Sequence, residues 1–149
     1  MSKGHKVFVY GTLMRGQYNN RLLNGAKFLG AAKTKRALFM FDGGFPRVAD
    51  LTQLDRFPVL QGAAQSFAGQ VAGELFRVSD ATLQSMDRLE GTPHHYTRER
   101  IPVLLYDGRE TNAFVYRICK PETYFKFLKP VPPVQGVINW KGPDYARAE

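Results

Sequence analysis

The sequence predicts an α+β fold that is mostly β: a small mixed or antiparallel barrel, or strongly curled sheet, with a few helices around it. Three observations point there. Strand-like segments lie at both ends of the chain, at 6–10, 34–42, 69–78, 97–106 and 111–118. Asp107-Gly108 joins the last two in the manner of a β-hairpin. One helix between them carries both of its end signals.

Taken in order, Val7-Phe8-Val9 is an apolar, β-favouring run that ends at Tyr10-Gly11-Thr12-Leu13. A short helix is expected from Asn19 or Asn20 through Arg21-Leu22-Leu23, stopping before Gly25. Gly43-Gly44-Phe45-Pro46 and Phe57-Pro58 bracket a stretch that reads as irregular. The clear helix has Ser79 as N-cap, runs from Asp80 to Glu90 and stops at Gly91, with Pro93 beyond. From Pro121 the tail reads as a short helical turn around Tyr124–Leu128 and an irregular wrap.

The 149 residues suit one domain, with a core at about 6–118 and a C-terminal wrap at 119–149. Apolar residues make up 44% of the chain, which places it among globular rather than disordered sequences. Apolar runs are far shorter than the ~18 residues of a membrane span, and the first residues lack the apolar region of a secretory signal. Neither a membrane nor an export route is expected. Cys119 is the single cysteine, which excludes an internal disulfide and fits a reducing compartment, most simply the cytoplasm. The net charge of +8 is uneven: residues 1–41 hold eight Lys or Arg and no Asp or Glu. These cations are scattered and accompany no nucleic-acid-binding motif, so they read as a solvated face that aids solubility or attracts small anionic substrates.

Glycine after a buried strand allows a sharp turn that exposes backbone N–H groups, and several in succession can cradle an anion. Thr12 adds a hydroxyl, and Asn19 and Asn20 open a helix whose N-terminus favours negative charge. A plain bulge at a sheet edge accounts for the glycine equally well. A nucleotide P-loop does not, because Gln17-Tyr18 stand where Lys and Ser/Thr are required.

Helical periodicity singles out Glu90. With Leu83 at zero, Met86 falls at roughly 300° and Glu90 at roughly 340° at ~100° per residue, on the stripe that faces the core. A carboxylate there is either paired internally, with Arg98 as a candidate, or meets a ligand in a pocket. In the second case burial and the helix C-terminus raise its pKa towards neutrality, where it can take up and give back a proton. His94-His95 are adjacent and only His5 adds to them, so no metal site is expected; Trp140 reads as packing, and Tyr116 as core or site.

Four segments together resemble the γ-glutamylcyclotransferase-like (AIG2-like) superfamily, and within it the γ-glutamylamine cyclotransferase branch. FVYGTLMRGQYNN is similar to the opening YGTLxRGxxN loop, FPRV to an FPxV segment, VAGELFRV to a glycine-bearing strand, and MDRLEGTPHHYTR to an acidic helix end followed by Tyr-x-Arg. The resemblance implies a small β-barrel with surrounding helices. The implied reaction turns a γ-glutamyl compound into 5-oxoproline and a free amine, with no metal or cofactor. It implies that Tyr10, Gly11, Thr12 and Leu13 hold the amino-acid end of the substrate, that Tyr96 walls the pocket, and that Glu90 is the general acid/base. Met14 and Tyr18 stand where relatives often carry Lys and Pro, which bears on substrate preference. The expected partner is a small γ-glutamyl substrate, such as γ-glutamyl-ε-lysine, bound by a monomer, with no nucleic acid. The competing reading is a non-catalytic module on the same fold that binds a small metabolite or an acidic partner.

Overall fold

The computed structural model describes residues 4–17, 19–42, 46–54, 66–92, 94–119 and 129–140. Five strands close into a barrel: β1 (His5–Val9), β2 (Lys27–Thr34), β5 (Gln70–Val78), β6 (Tyr96–Leu105) and β7 (Glu110–Ile118), in the order β1-β7-β6-β2-β5 and back to β1. All these pairings are antiparallel except β1 with β7, where Val7 stands opposite Phe114. Closure leaves none of the five as an open edge. A separate sheet has β3 (Leu38–Asp42) between β4 (Pro46–Asp50) and β8 (Lys129–Pro130), and β9 (Val137–Ile138) adds to β5. Helix α1 (Leu51–Leu54) is a single turn, α2 (Asp80–Glu90) has 11 residues, and Asn20–Leu23 is a 3-10 turn. Among the described residues no helix is long and apolar enough to cross a membrane.

Strand β1 is buried on both faces, which explains its unbroken apolar run. Val7 and Val9 pack with Leu83 and Met86 of α2, while Phe8 and Tyr10 join Val71, Leu75, Val103 and Ile138 on the other face. The two-residue period of the strand thus serves two apolar clusters. Met86 is fully buried, a contribution of about 2 kcal/mol by transfer of its side chain. Both ends of α2 are as expected. Ser79 Oγ accepts the Thr82 N–H at 3.1 Å, and Gly91 takes the left-handed conformation with φ 67°.

Gly73 of β5 packs directly against Val9 and Phe8 of β1. A Cβ there would collide with the Val9 carbonyl oxygen and reach 2.8 Å from Phe8 Cζ. Because backbone cannot yield as a side chain can, Gly73→Ala is expected to destabilise the protein by about 3 kcal/mol or more. Urea unfolding would measure this, and an unchanged midpoint would contradict the packing described.

Three expectations need correction. The segment 34–42 is not one strand: β2 ends at Thr34 and β3 starts at Leu38. The buried Thr34 hydroxyl donates to the Arg36 carbonyl at 2.7 Å and accepts the Val71 N–H at 2.9 Å, so a local turn replaces the ladder. Strand β2 itself is hidden in the sequence by a register shift between Phe28 and Gly30, which breaks its alternation. The stretch after Pro46, expected to be irregular, begins with strand β4; Pro46 is the first residue of an edge strand, where a missing N–H is tolerated. Gly43-Gly44-Phe45, Phe57-Pro58 and the turn expected at Tyr124–Leu128 lie outside the described residues.

Candidate active site

The loop after β1 is built to present its backbone. Tyr10, directly after the strand, is buried, with its hydroxyl donating to the Tyr116 carbonyl oxygen at 2.6 Å. At Gly11 the chain turns against Pro46, so closely that a Cβ would stand 2.6 Å from Pro46 Cγ. The loop carbonyls are occupied: Gly11 O accepts the Met14 N–H at 3.0 Å, Thr12 O the Asn19 N–H at 3.0 Å, and Leu13 O the Asn20 side chain at 2.8 Å. Among the described residues, none accepts a hydrogen bond from the N–H of Gly11, Thr12 or Leu13. The bulge reading does not account for three successive donors left in this way.

Asn19 and Asn20 do something other than expected. They enter a four-residue 3-10 turn with no side-chain cap, which offers no helix N-terminus of consequence. Instead Asn19 Nδ2 donates to Thr12 Oγ1 at 2.9 Å, leaving the Thr12 hydroxyl proton to point elsewhere. At the outer end of the loop, Glu74 Oε1 accepts the Arg15 N–H at 2.7 Å, and Glu74 Oε2 the Arg15 Nε–H at 3.0 Å. Strand β5 thereby ties the loop down from the other side.

Glu90, the last residue of α2, faces this loop. Phe8, Val9, Tyr10, Gly11, Thr12 and Leu13 line one side of a recess of about 50 Å³, and Pro46, Glu90, Tyr96 and Tyr116 complete it. All six residues singled out in the sequence therefore meet in one place, although they come from the loop after β1, from α2 and from β6. Tyr116 resolves from an open choice to a wall of the recess that also packs in the core. Pro46 had no expected part in the site; the sequence marked it only through its place in FPRV and as the end of Gly43-Gly44-Phe45-Pro46.

Burial lifts the Glu90 carboxyl from its ordinary value to about 7. No described residue donates a hydrogen bond to it or forms an ion pair with it. Arg98, the candidate partner, instead sits with Nε 3.0 Å from Asp87 Oδ1. The same Asp87 oxygen accepts the Tyr116 hydroxyl proton at 2.7 Å. Burial first, then this bond to Asp87, push the Tyr116 hydroxyl well above the usual phenol range. Burial, with Tyr96 and Glu90 nearby, does the same for Tyr10. Both phenols thus stay protonated donors wherever Glu90 titrates. Among the described residues no group of three or more His, Cys, Asp or Glu is placed to hold a metal, and His94 and His95 are exposed.

The gamma-glutamyl cyclotransferase, AIG2-like family model matches residues 7–127. The chain belongs to that family. It is accordingly an enzyme of the gamma-glutamyl cyclotransferase kind. A Methanocaldococcus jannaschii protein with a provisional gamma-glutamylcyclotransferase name is 32% identical over 111 residues, spanning 74% of this chain and 81% of its own length. A Danio rerio protein named gamma-glutamylaminecyclotransferase A is 35% identical over 117 residues, covering 74% of this chain and 66% of its own length. A crystal structure of an AIG2-like protein from Mus musculus superposes with a TM-score of 0.67 over 86% of each chain at 24% identity, which shows the shared fold.

Proposed function

We propose that the protein cyclises the γ-glutamyl group of a γ-glutamylamine, such as γ-glutamyl-ε-lysine, to 5-oxoproline and releases the free amine. The observation that carries this reading is a Glu90 carboxyl poised near neutral pH across a recess from three backbone N–H groups, with no hydrogen-bond or ion-pair partner for any of them among the described residues. The gamma-glutamylaminecyclotransferase name of the zebrafish relative supports the substrate class.

Each step uses groups already in place. The N–H groups of Gly11, Thr12 and Leu13 hold the α-carboxylate, and Tyr10 and Tyr96 wall the γ-glutamyl chain. Glu90 removes a proton from the α-ammonium, and the freed nitrogen attacks the γ-carbonyl carbon of the same molecule. The C–N bond to the leaving amine then breaks as Glu90 returns the proton to it. The second proton that the attacking nitrogen sheds on becoming the lactam N–H passes by way of the Glu90 carboxylate to the released amine, which leaves as an ammonium. Donors along the loop meet the developing oxyanion. The attack is intramolecular, so the site gains most by holding the folded conformer, and no nucleophilic side chain takes part. A carboxyl near neutrality suits this double duty, because it is a competent base and then a competent acid at one pH.

The sign of the pH dependence follows. The carboxylate form must accept the first proton, so activity is lost as pH falls and Glu90 becomes protonated. For γ-glutamyl-ε-lysine, kcat/KM is expected to rise through about pH 7 to a plateau above it. Detection of 5-oxoproline by mass spectrometry across pH 5–9 would check this, and a limb near the ordinary carboxylate range would contradict the role given to Glu90.

A further inference from the structure

We propose that Asp87 is a positioning residue for the reaction: its carboxylate engages both the Arg98 guanidinium and the Tyr116 hydroxyl, and so keeps both donors off Glu90. The proposal rests on the reading of Glu90 as the proton-transfer group. Asp87 stands three residues before Glu90 on α2, so the two carboxylates are neighbours on one helix face. Arg98 and Tyr116 are directly opposite one another across the β6–β7 ladder, which sends both side chains to that same face. Both meet the first of the two carboxylates: Tyr116 donates its hydroxyl proton to Asp87 Oδ1, and Arg98 pairs with the same oxygen by charge, its Nε 3.0 Å away without hydrogen-bond alignment.

The arrangement is held from behind. The Arg98 guanidinium lies over the Phe114 ring, 4.5 Å from its centre, which fixes where its charge sits. Asp87 needs such a partner, since it is only about a quarter exposed. The titratable groups that share the recess with Glu90 are Tyr10, Tyr96 and Tyr116; Asp87 stands on its own helix with Arg98 of β6 beside it, Arg47 of β4 lies beyond Tyr10, and His95 lies beside Gly91. Of these, Arg98 and Tyr116 are the ones that Asp87 intercepts. Without Asp87 both lose the partner that holds them, and on this proposal they turn to Glu90, which shares the recess with Tyr116. A hydrogen bond or a cation there would favour its charged form and weaken it as a base.

The test reads Glu90 directly. In protein labelled with ¹³C at glutamate side-chain carboxyls, the signal missing from Glu90→Gln belongs to Glu90, and its titration is followed by NMR. In Asp87→Ala the midpoint is expected to fall by at least about one pH unit, a tenfold change in the dissociation constant. Tyr116→Phe alone should leave the midpoint in place, because that hydroxyl is committed to Asp87. Asp87→Ala/Tyr116→Phe should recover part of that fall, because one of the two released donors is gone. An unmoved midpoint in Asp87→Ala overturns the proposal. So does a raised midpoint in Tyr116→Phe, or a double variant that titrates no higher than Asp87→Ala. Where Asp87→Ala does not fold, Asp87→Ser, too short to hold Arg98, replaces it with the same expected outcomes. The acid limb of kcat/KM should follow the NMR midpoint. If the midpoint moves and the limb does not, the positioning of donors stands and the assignment of Glu90 as the base fails.

Discussion

Glu90→Gln is expected to lower turnover of γ-glutamyl-ε-lysine by roughly a thousandfold, the scale of a lost general acid/base, while making the protein more stable at pH 8. Both effects have one cause. The folded protein holds the carboxyl at about 7 by burial, against an ordinary value of 4.5. Between those two values the folded state binds more protons than the unfolded state, so stability falls as pH rises. A tenfold change in an acid dissociation constant corresponds to about 1.4 kcal/mol, so the charged carboxylate costs about 3 kcal/mol above pH 7. Glutamine keeps the shape and never ionises. Urea unfolding of the two proteins should show the variant ahead at pH 8 and level with the parent below about pH 4.5. A variant less stable at pH 8 would mean that the carboxylate has a partner in the folded protein.

Gly11→Ala is expected to cut kcat/KM by roughly a hundredfold, because a displacement of about 1 Å in a substrate-holding loop is felt on that scale. The added Cβ would stand 2.6 Å from Pro46 Cγ and 2.8 Å from Pro46 Cδ, so either the loop or β4 must move. The same crowding should cost about 1–3 kcal/mol of stability. Combining it with Pro46→Ala removes the obstacle, so the double variant should recover much of both losses relative to Gly11→Ala. Full activity in Gly11→Ala would show that the loop does not position the substrate.

What is legible in the sequence is what short-range physics decides. Ser79, Gly91 and Asp107-Gly108 signal their structures through the backbone of a few neighbouring residues, and the cap, the stop and the hairpin all form there. Glu90 stands out because a helix has a fixed period and a carboxylate on its inner stripe conflicts with burial. Strands β2 and β4 do not stand out. Gly30 interrupts the alternation of the first, and the second owes its place to pairing with β3 rather than to its own five residues. The partner of Arg98 is illegible for a related reason. Spacing makes Glu90 and Asp87 equivalent candidates, and the choice depends on the β6–β7 register that sets Arg98 opposite Tyr116. Likewise, nothing local to Gly11 shows that Pro46 will stand against it.

The basic first third finds local uses along the barrel. Arg15 holds Glu74, Lys35 pairs with Glu110 at 2.7 Å, and Arg36 bridges Asp50 and Glu99, the latter at 3.3 Å. Such exposed pairs are each worth about 1 kcal/mol at most. They spread the positive charge over several strands.

The role of Glu90 in forming 5-oxoproline is tested most directly by a single assay. γ-Glutamyl-ε-lysine is incubated at pH 8 with the enzyme and with Glu90→Gln, and 5-oxoproline and lysine are counted by mass spectrometry. Equimolar 5-oxoproline and lysine are expected from the enzyme, and roughly a thousandfold less of each from the folded variant. Equal product from both proteins would contradict the mechanism.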